Sequence, residues 1–95
     1  MIAEQKPLFA LGATVGTPAA LAALTSAGQS PVEFLNRHVR GDWGHVCEED
    51  KQANDDAVRS GERILSAYKT HLGVKIWCLT EADRSATTLL LPSEY

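Results

Sequence analysis

KIWCLTEADRSATTLLLPSEY, residues 75–95, decides the fold of this chain. Two apolar runs rich in β-formers, residues 74–80 and 86–91, flank the polar segment Glu81-Ala82-Asp83-Arg84-Ser85. Short apolar runs separated by so brief a polar turn read as an antiparallel hairpin. The turn gathers two acids, an arginine and a serine at one exposed point, with Thr80, Thr87 and Thr88 beside it.

Working outward, residues 63–70 read as a further strand, joined to the hairpin through His71-Leu72-Gly73. Both links are short enough for antiparallel neighbours, so the C-terminal third is a three-stranded meander. Within residues 74–80, Val74, Ile76 and Cys78 point one way and Lys75, Trp77 and Leu79 the other. Apolar residues on both faces predict a central strand covered on both sides, or a sheet with one face given to a partner.

Upstream, the punctuation is helical. Thr17-Pro18 pairs a threonine N-cap with a proline at the first helical position, and Gly28 is placed to end a helix over residues 18–27. Ser30-Pro31-Val32-Glu33 matches a capping box and opens a second helix over residues 31–40, stopped at Gly41. A third runs from about Val46 to Ser60. Its acids Glu48, Glu49 and Asp50 lie at the N-terminal end and Arg59 at the other, as the helix dipole favours. It carries few large apolar residues, so it must lie shallowly with a wide solvated face. Residues 8–15 read as a first strand, with Gly12 marking a bulge or a close backbone approach.

The expected architecture is a single α+β domain in the order β-α-α-α-β-β-β. Its sheet is mostly antiparallel, ends in the three-stranded meander, and carries the helices on one side.

Composition excludes several classes. A chain of 95 residues with 44% hydrophobic and 22% charged residues can bury a core without a metal or disulfide staple. Cys47 and Cys78 form no CxxC pair, and Cys78 lies in the most apolar strand, where it reads as a small buried hydrophobe. The N-terminal stretch MIAEQKPLFALGATVG lacks the basic and uninterrupted apolar regions of a leader, and no segment is long enough to span a bilayer. These features predict a cytoplasmic protein without membrane contact. The net charge of −3 is unevenly placed: residues 42–62 hold seven acids and two bases, whereas the segments on either side each carry +1. Such a band argues against generic nucleic-acid binding, which needs a basic footprint.

No Walker, GxGxxG or GxSxG pattern is present, and no cofactor is expected. His45-Val46-Cys47-Glu48 lacks a third ligand at metal spacing, so no metal is expected. His38 and His71 read as surface or partly packed histidines, and Trp43 and Trp77 as core anchors. Asp83 and Arg84 read as a local ion pair fixing the hairpin, or as a tip that touches a partner.

Asp42-Trp43-Gly44, taken with residues 79–85 (LTEADRS) and 87–95 (TTLLLPSEY), resembles a family of small uncharacterised bacterial proteins. Its members are carried on plasmids and integrated elements and are labelled plasmid-related or hypothetical. The likeness runs from about Leu8 to Tyr95 and implies a mobile-element setting without supplying a catalytic residue. The element order also resembles that of RelE/ParE-type toxins and related small RNases. Such enzymes cleave RNA without metal, because positioned acid–base groups and a cation stabilise 2′-OH attack on phosphate. That resemblance nominates His45, Arg63, Arg84 and Thr87, with Tyr68, Lys69 and Thr80 as further candidates, although those toxins are basic and this chain is acidic.

The leading expectation is a non-enzymatic interaction module of mobile-element origin, acting as a regulator, an anti-defence factor or a host-takeover factor. It would bind a protein partner with a basic, nucleic-acid-binding surface through Glu48, Glu49, Asp55 and Asp56, with Asp83 and Arg84 at the hairpin turn. The alternative is a metal-independent, toxin-like RNase. A homodimer through the apolar sheet face is a third reading.

Overall fold

The expected helices and strands form in the expected order in the computed structural model, which describes residues 6–95. The first five residues, part of the stretch read above as lacking a leader, lie outside the described residues. The elements are β1 (Ala13–Gly16), α1 (Pro18–Ser26), α2 (Pro31–Val39), α3 (Glu48–Ser60), β2 (Ile64–Lys69), β3 (Lys75–Thr80) and β4 (Ala86–Leu90). A short 3₁₀ turn, Pro92–Glu94, follows β4.

The strands make one sheet in the order β1-β4-β3-β2. The meander is antiparallel, with Ser66 opposite Cys78 and Cys78 opposite Leu89. β1 joins parallel to β4, so the sheet is mixed. A return beside β4 is the available closure, because β3 already has a neighbour on each side and α3 occupies the outer edge of β2.

The helix starts follow from local chemistry. The Thr17 and Ser30 hydroxyls accept from the amides of Ala20 and Val32, satisfying donors that a first turn leaves open. α1 and α2 then bury Ala20, Leu24 and Phe34 against Tyr68, Ile76, Cys78 and Leu89 on one face of the sheet. Each large apolar side chain so buried contributes about 1.5–3 kcal/mol. A second cluster, Trp43, Ala57 and Ile64, joins α3 to the start of β2. Cys78 is fully buried, and desolvation pushes its thiol far above the ordinary range.

β1 is shorter than the expected residues 8–15. Gly12 has φ 66°, and a Cβ there would collide with the backbone carbonyls of Arg84 and Ser85. Ahead of that constriction the chain crosses the helical layer: the Leu8 amide donates to the Val39 carbonyl (2.8 Å), and Phe9 stacks on Trp43. Tertiary contact there overrides a strand-like composition.

His38 is a second correction. It is neither a surface nor a partly packed residue but fully buried, at 0% exposure, beneath α2. Its Nδ1 lies 2.6 Å from Ser66 Oγ and its Nε2 lies 2.9 Å from Thr80 Oγ1. Thr80 in turn meets Thr87 at 2.7 Å, and the Thr87 hydroxyl donates to the Leu11 carbonyl (2.8 Å). The Thr87 proton is thereby committed, which fixes every other proton in the chain. Thr80 donates to Thr87, His38 Nε2–H donates to Thr80, and Ser66 donates to Nδ1. The imidazole is the neutral Nε2–H tautomer, and burial lowers its pKa to about 4.

The outer edge of β2 is closed by side-chain and backbone caps. Asn54 on α3 donates to the Leu65 carbonyl (2.8 Å) and accepts from the Leu65 amide (3.2 Å), standing in for a neighbouring strand. One step along, the Ala67 amide donates to Trp43 O and the Ala67 carbonyl accepts from the His45 amide. A free edge is thus spent inside the molecule.

Two predictions follow from these contacts. His38 binds a proton less readily folded than unfolded, so its share of stability is complete above about pH 6.5 and falls as pH drops towards 4. Urea unfolding at pH 7 and pH 5 should differ by about 2 kcal/mol from this group, and His38→Gln should remove that difference; an unchanged slope in the variant would refute it. Asn54→Asp sets a carboxylate against the Leu65 carbonyl and should lower stability by about 2 kcal/mol, whereas Asp56→Asn should stay within about 0.5 kcal/mol.

Candidate functional site

The acidic band forms the outer face of α3. Only Asn54 and Ala57 of this helix are buried, which leaves Glu48, Glu49, Asp50, Asp55 and Asp56 exposed. They are not equivalent. Asp55 accepts the Trp43 indole N–H (3.0 Å), so it pins a core anchor at 4% exposure. Asp56 is paired with Arg59 (3.0 Å) and Glu48 with Lys51 (3.4 Å), both at i,i+3 spacing. Among the described residues Glu49 and Asp50 have no ion-pair partner.

At the N-terminal end of α3 the surface opens into a groove of about 400 Å³ on the sheet face opposite α1 and α2. Its wall is the segment entering the helix, with His45, Val46, Cys47 and Asp50. Its floor is Leu65, Ala67 and Trp77, and its rim is Lys69 and Lys75. The wall is set by close backbone approach. Gly44 has φ 74°, and a Cβ there would strike the Ala67 carbonyl and the Tyr68 ring. Asp42 supports the same segment: its carboxylate accepts from the Gly44 amide (3.2 Å), and its carbonyl accepts from the Tyr68 hydroxyl (2.6 Å). The Arg37 guanidinium hydrogen-bonds Asp42 at 2.7 Å and holds its carboxyl below the usual range.

The C-terminal residues cover another part of this open face. Glu94 Oε1 accepts from the Leu91 amide (2.8 Å) and the Thr17 hydroxyl (2.7 Å), tying the 3₁₀ turn to the start of α1. Tyr95 meets Trp77 edge-on, with ring centroids 5.6 Å apart, and its hydroxyl accepts from Arg63 (2.9 Å).

The hairpin turn is built differently from its sequence reading. Asp83 and Arg84 make no ion pair. Asp83 instead accepts from the Ser85 amide (2.9 Å), and its bonds to Ser85 lower its pKa. The Arg84 guanidinium turns inward and donates to the carbonyls of Ala57 (2.7 Å), Glu62 (2.7 Å), Glu81 (3.2 Å) and Ala82 (3.3 Å). It lies 5.6 Å from the Phe9 ring centroid. A guanidinium at the carbonyl end of α3 suits the dipole, and five fixed donors fit this many acceptors. Arg84 holds φ 60°, a conformation uncommon outside glycine.

The residues nominated for RNA cleavage are therefore divided. His45 and Lys69 line the groove, and Arg63 lies on the same face beyond Tyr95. Thr80 and Thr87 are fully buried on the opposite face, in the His38 chain. Arg84 serves the hairpin, and Tyr68 is buried with its hydroxyl on Asp42 O while also lining the groove with His45 and Lys69. The residues missed from the sequence are Lys75, Trp77 and Asp50 as neighbours of His45. The alternation in β3 places Lys75 and Trp77 on one face, but nothing local puts the 43–45 segment beside them. Among the described residues no group of three or more His, Cys, Asp or Glu is placed to hold a metal, and no helix is long and apolar enough to cross a membrane.

Comparison with protein-family models, with curated proteins and with solved structures finds no match to this chain.

Replacing Arg84 tests the turn. Arg84→Ala should cost about 2 kcal/mol in urea unfolding, since carbonyls at the end of α3 lose a charged donor. Arg84→Gly should lose about 1 kcal/mol less, because glycine accepts the left-handed backbone. Equal losses in the two variants would show that the backbone there carries no strain.

Proposed function

We propose that this protein is a non-enzymatic interaction module that docks a protein partner with a basic, nucleic-acid-binding surface onto α3. The observation that carries this reading is the division of labour along the helix. Asn54, Asp55 and Ala57 serve the fold, while Glu48, Glu49 and Asp56 present their charge outward. Acids outnumber bases on this exposed surface even though Lys51 and Arg59 pair with Glu48 and Asp56. Such net negative charge steers and orients an oppositely charged partner more than it stabilises the domain. The burial of Thr80 and Thr87 and the saturation of Arg84 by carbonyls also favour binding over cleavage. In the mobile-element setting that the sequence resemblance implies, the partner would be a host or element protein in the cytoplasm. The module would then act as a regulator, an anti-defence factor or a host-takeover factor.

A second reading keeps one observation: His45 and Lys69 share a groove, a general acid–base group beside a cation. A metal-independent RNase built there would cleave RNA in EDTA and lose the activity in His45→Ala with the fold intact.

The test of the leading reading reverses charge at Glu48, Glu49 and Asp56, leaving Asp55 untouched because Trp43 depends on it. The triple lysine variant turns two exposed pairs into like-charge contacts and sets two lysines against the dipole at the start of α3, each effect about 0.3–1 kcal/mol. It should therefore melt lower than the wild type yet stay folded at the capture temperature, which circular dichroism checks. Affinity capture from host lysate should retain a stoichiometric protein on the wild type and lose it on the variant. Equal capture by both would remove α3 from the role.

A further inference from the structure

The groove beside α3 carries a feature that stability does not explain. Lys69 and Lys75 are directly opposed across the β2–β3 ladder, both exposed and both on its rim. Like charges facing one another in a strand pair destabilise it. Among the described residues no carboxylate lies within ion-pair distance of either lysine. An anion between them would turn the repulsion into a binding contribution.

The rest of the groove states what the anion is attached to. Trp77 is half-buried in the floor; Tyr95 already meets it edge-on at 5.6 Å, and the part of the indole that lines the groove offers a surface against which a planar ring can stack. A volume of about 400 Å³ lies within the span of small-molecule sites, and a bare phosphate would leave most of it unfilled. Elsewhere on the lining, Asp50 offers an acceptor and His45 a donor or acceptor, suited to the polar edge of a heterocycle. An apolar ligand would leave this rim unused.

We propose that the groove binds a mononucleotide, with its base against Trp77, its phosphate between Lys69 and Lys75, and its base edge towards Asp50 and His45. The site is separate from the outward acids Glu48, Glu49 and Asp56 and does not depend on the protein-docking reading.

Adenosine 5′-monophosphate is the probe, titrated into the full chain and followed by tryptophan fluorescence and the indole N–H resonances. Trp43 is buried with Ala57 and Ile64 whereas Trp77 lines the groove, so of the two indole N–H resonances that of Trp77 should shift the more. Saturable binding is expected at submillimolar affinity, on the order of 0.1–1 mM, with inorganic phosphate alone and adenosine alone each at least about tenfold weaker. In Lys69→Gln/Lys75→Gln the affinity should fall at least about tenfold while the melting temperature holds or rises, since removing the repulsion relieves the ladder. A merely structural role for the pair would move the melting temperature and leave binding alone. No saturable change up to about 10 mM, or equal affinity in the double variant, would overturn the proposal. So would binding of a single-stranded oligoribonucleotide where the mononucleotide fails.

Discussion

The buried chain Ser66–His38–Thr80–Thr87–Leu11 is the constraint around which the fold is arranged. It joins β2, α2, β3 and β4 in turn, and ends on the backbone that leads into β1. Each side chain in it passes one proton onward, from Ser66 through His38 and Thr80 to Thr87, so the chain runs in a single direction and ends on a carbonyl. A slipped register in either hairpin would leave a buried hydroxyl or ring nitrogen unpaired, at about 1–3 kcal/mol for each. The described part of the molecule holds no buried side-chain polar atom without a partner. This polar thread therefore specifies alignment, and the surrounding Leu24, Phe34, Ile76 and Leu89 supply most of the driving force.

Edge management explains the rest of the architecture. β2 is sealed by the Asn54 amide and by the Trp43–His45 backbone, and that sealing brings the 43–45 segment against the open sheet face. The groove is a by-product of the seal. β1 at the other end of the sheet is short, with Val15 at 51% exposure, and it carries neither a charge nor a proline on the strand. Among the described residues, the protection this edge shows is its brevity.

Structural and surface roles are divided between the two faces of the sheet. The helix-bearing face is buried, and its titratable groups, His38, Tyr68 and Cys78, are held neutral by burial. The open face and α3 keep their charges in water, where lysines and carboxylates remain available to ligands. Residues nominated together for chemistry, such as Thr87 and His45, are parted because alternation in a strand and the turn at Gly44 send them to opposite sides.

The sequence by itself determined the elements, their order and most of their ends, because caps and turns are local chemistry: Thr17-Pro18, Ser30-Pro31 and the polar turn at residues 81–85 need only near neighbours to act. It also determined that α3 would show a wide solvated face, since a helix with so few large apolar residues has little to bury. Only the tertiary structure decided that β1 runs parallel beside β4 and starts at Ala13, because Gly12 must pass the carbonyls of a turn about seventy residues away in the chain. It alone buried His38, whose partners lie 28 and 42 residues away, and it alone turned Arg84 inward onto α3. It also brought His45 and Asp50 beside Lys69, Lys75 and Trp77. Contacts over such separations depend on how strands register and helices pack, and no window of neighbouring residues encodes them.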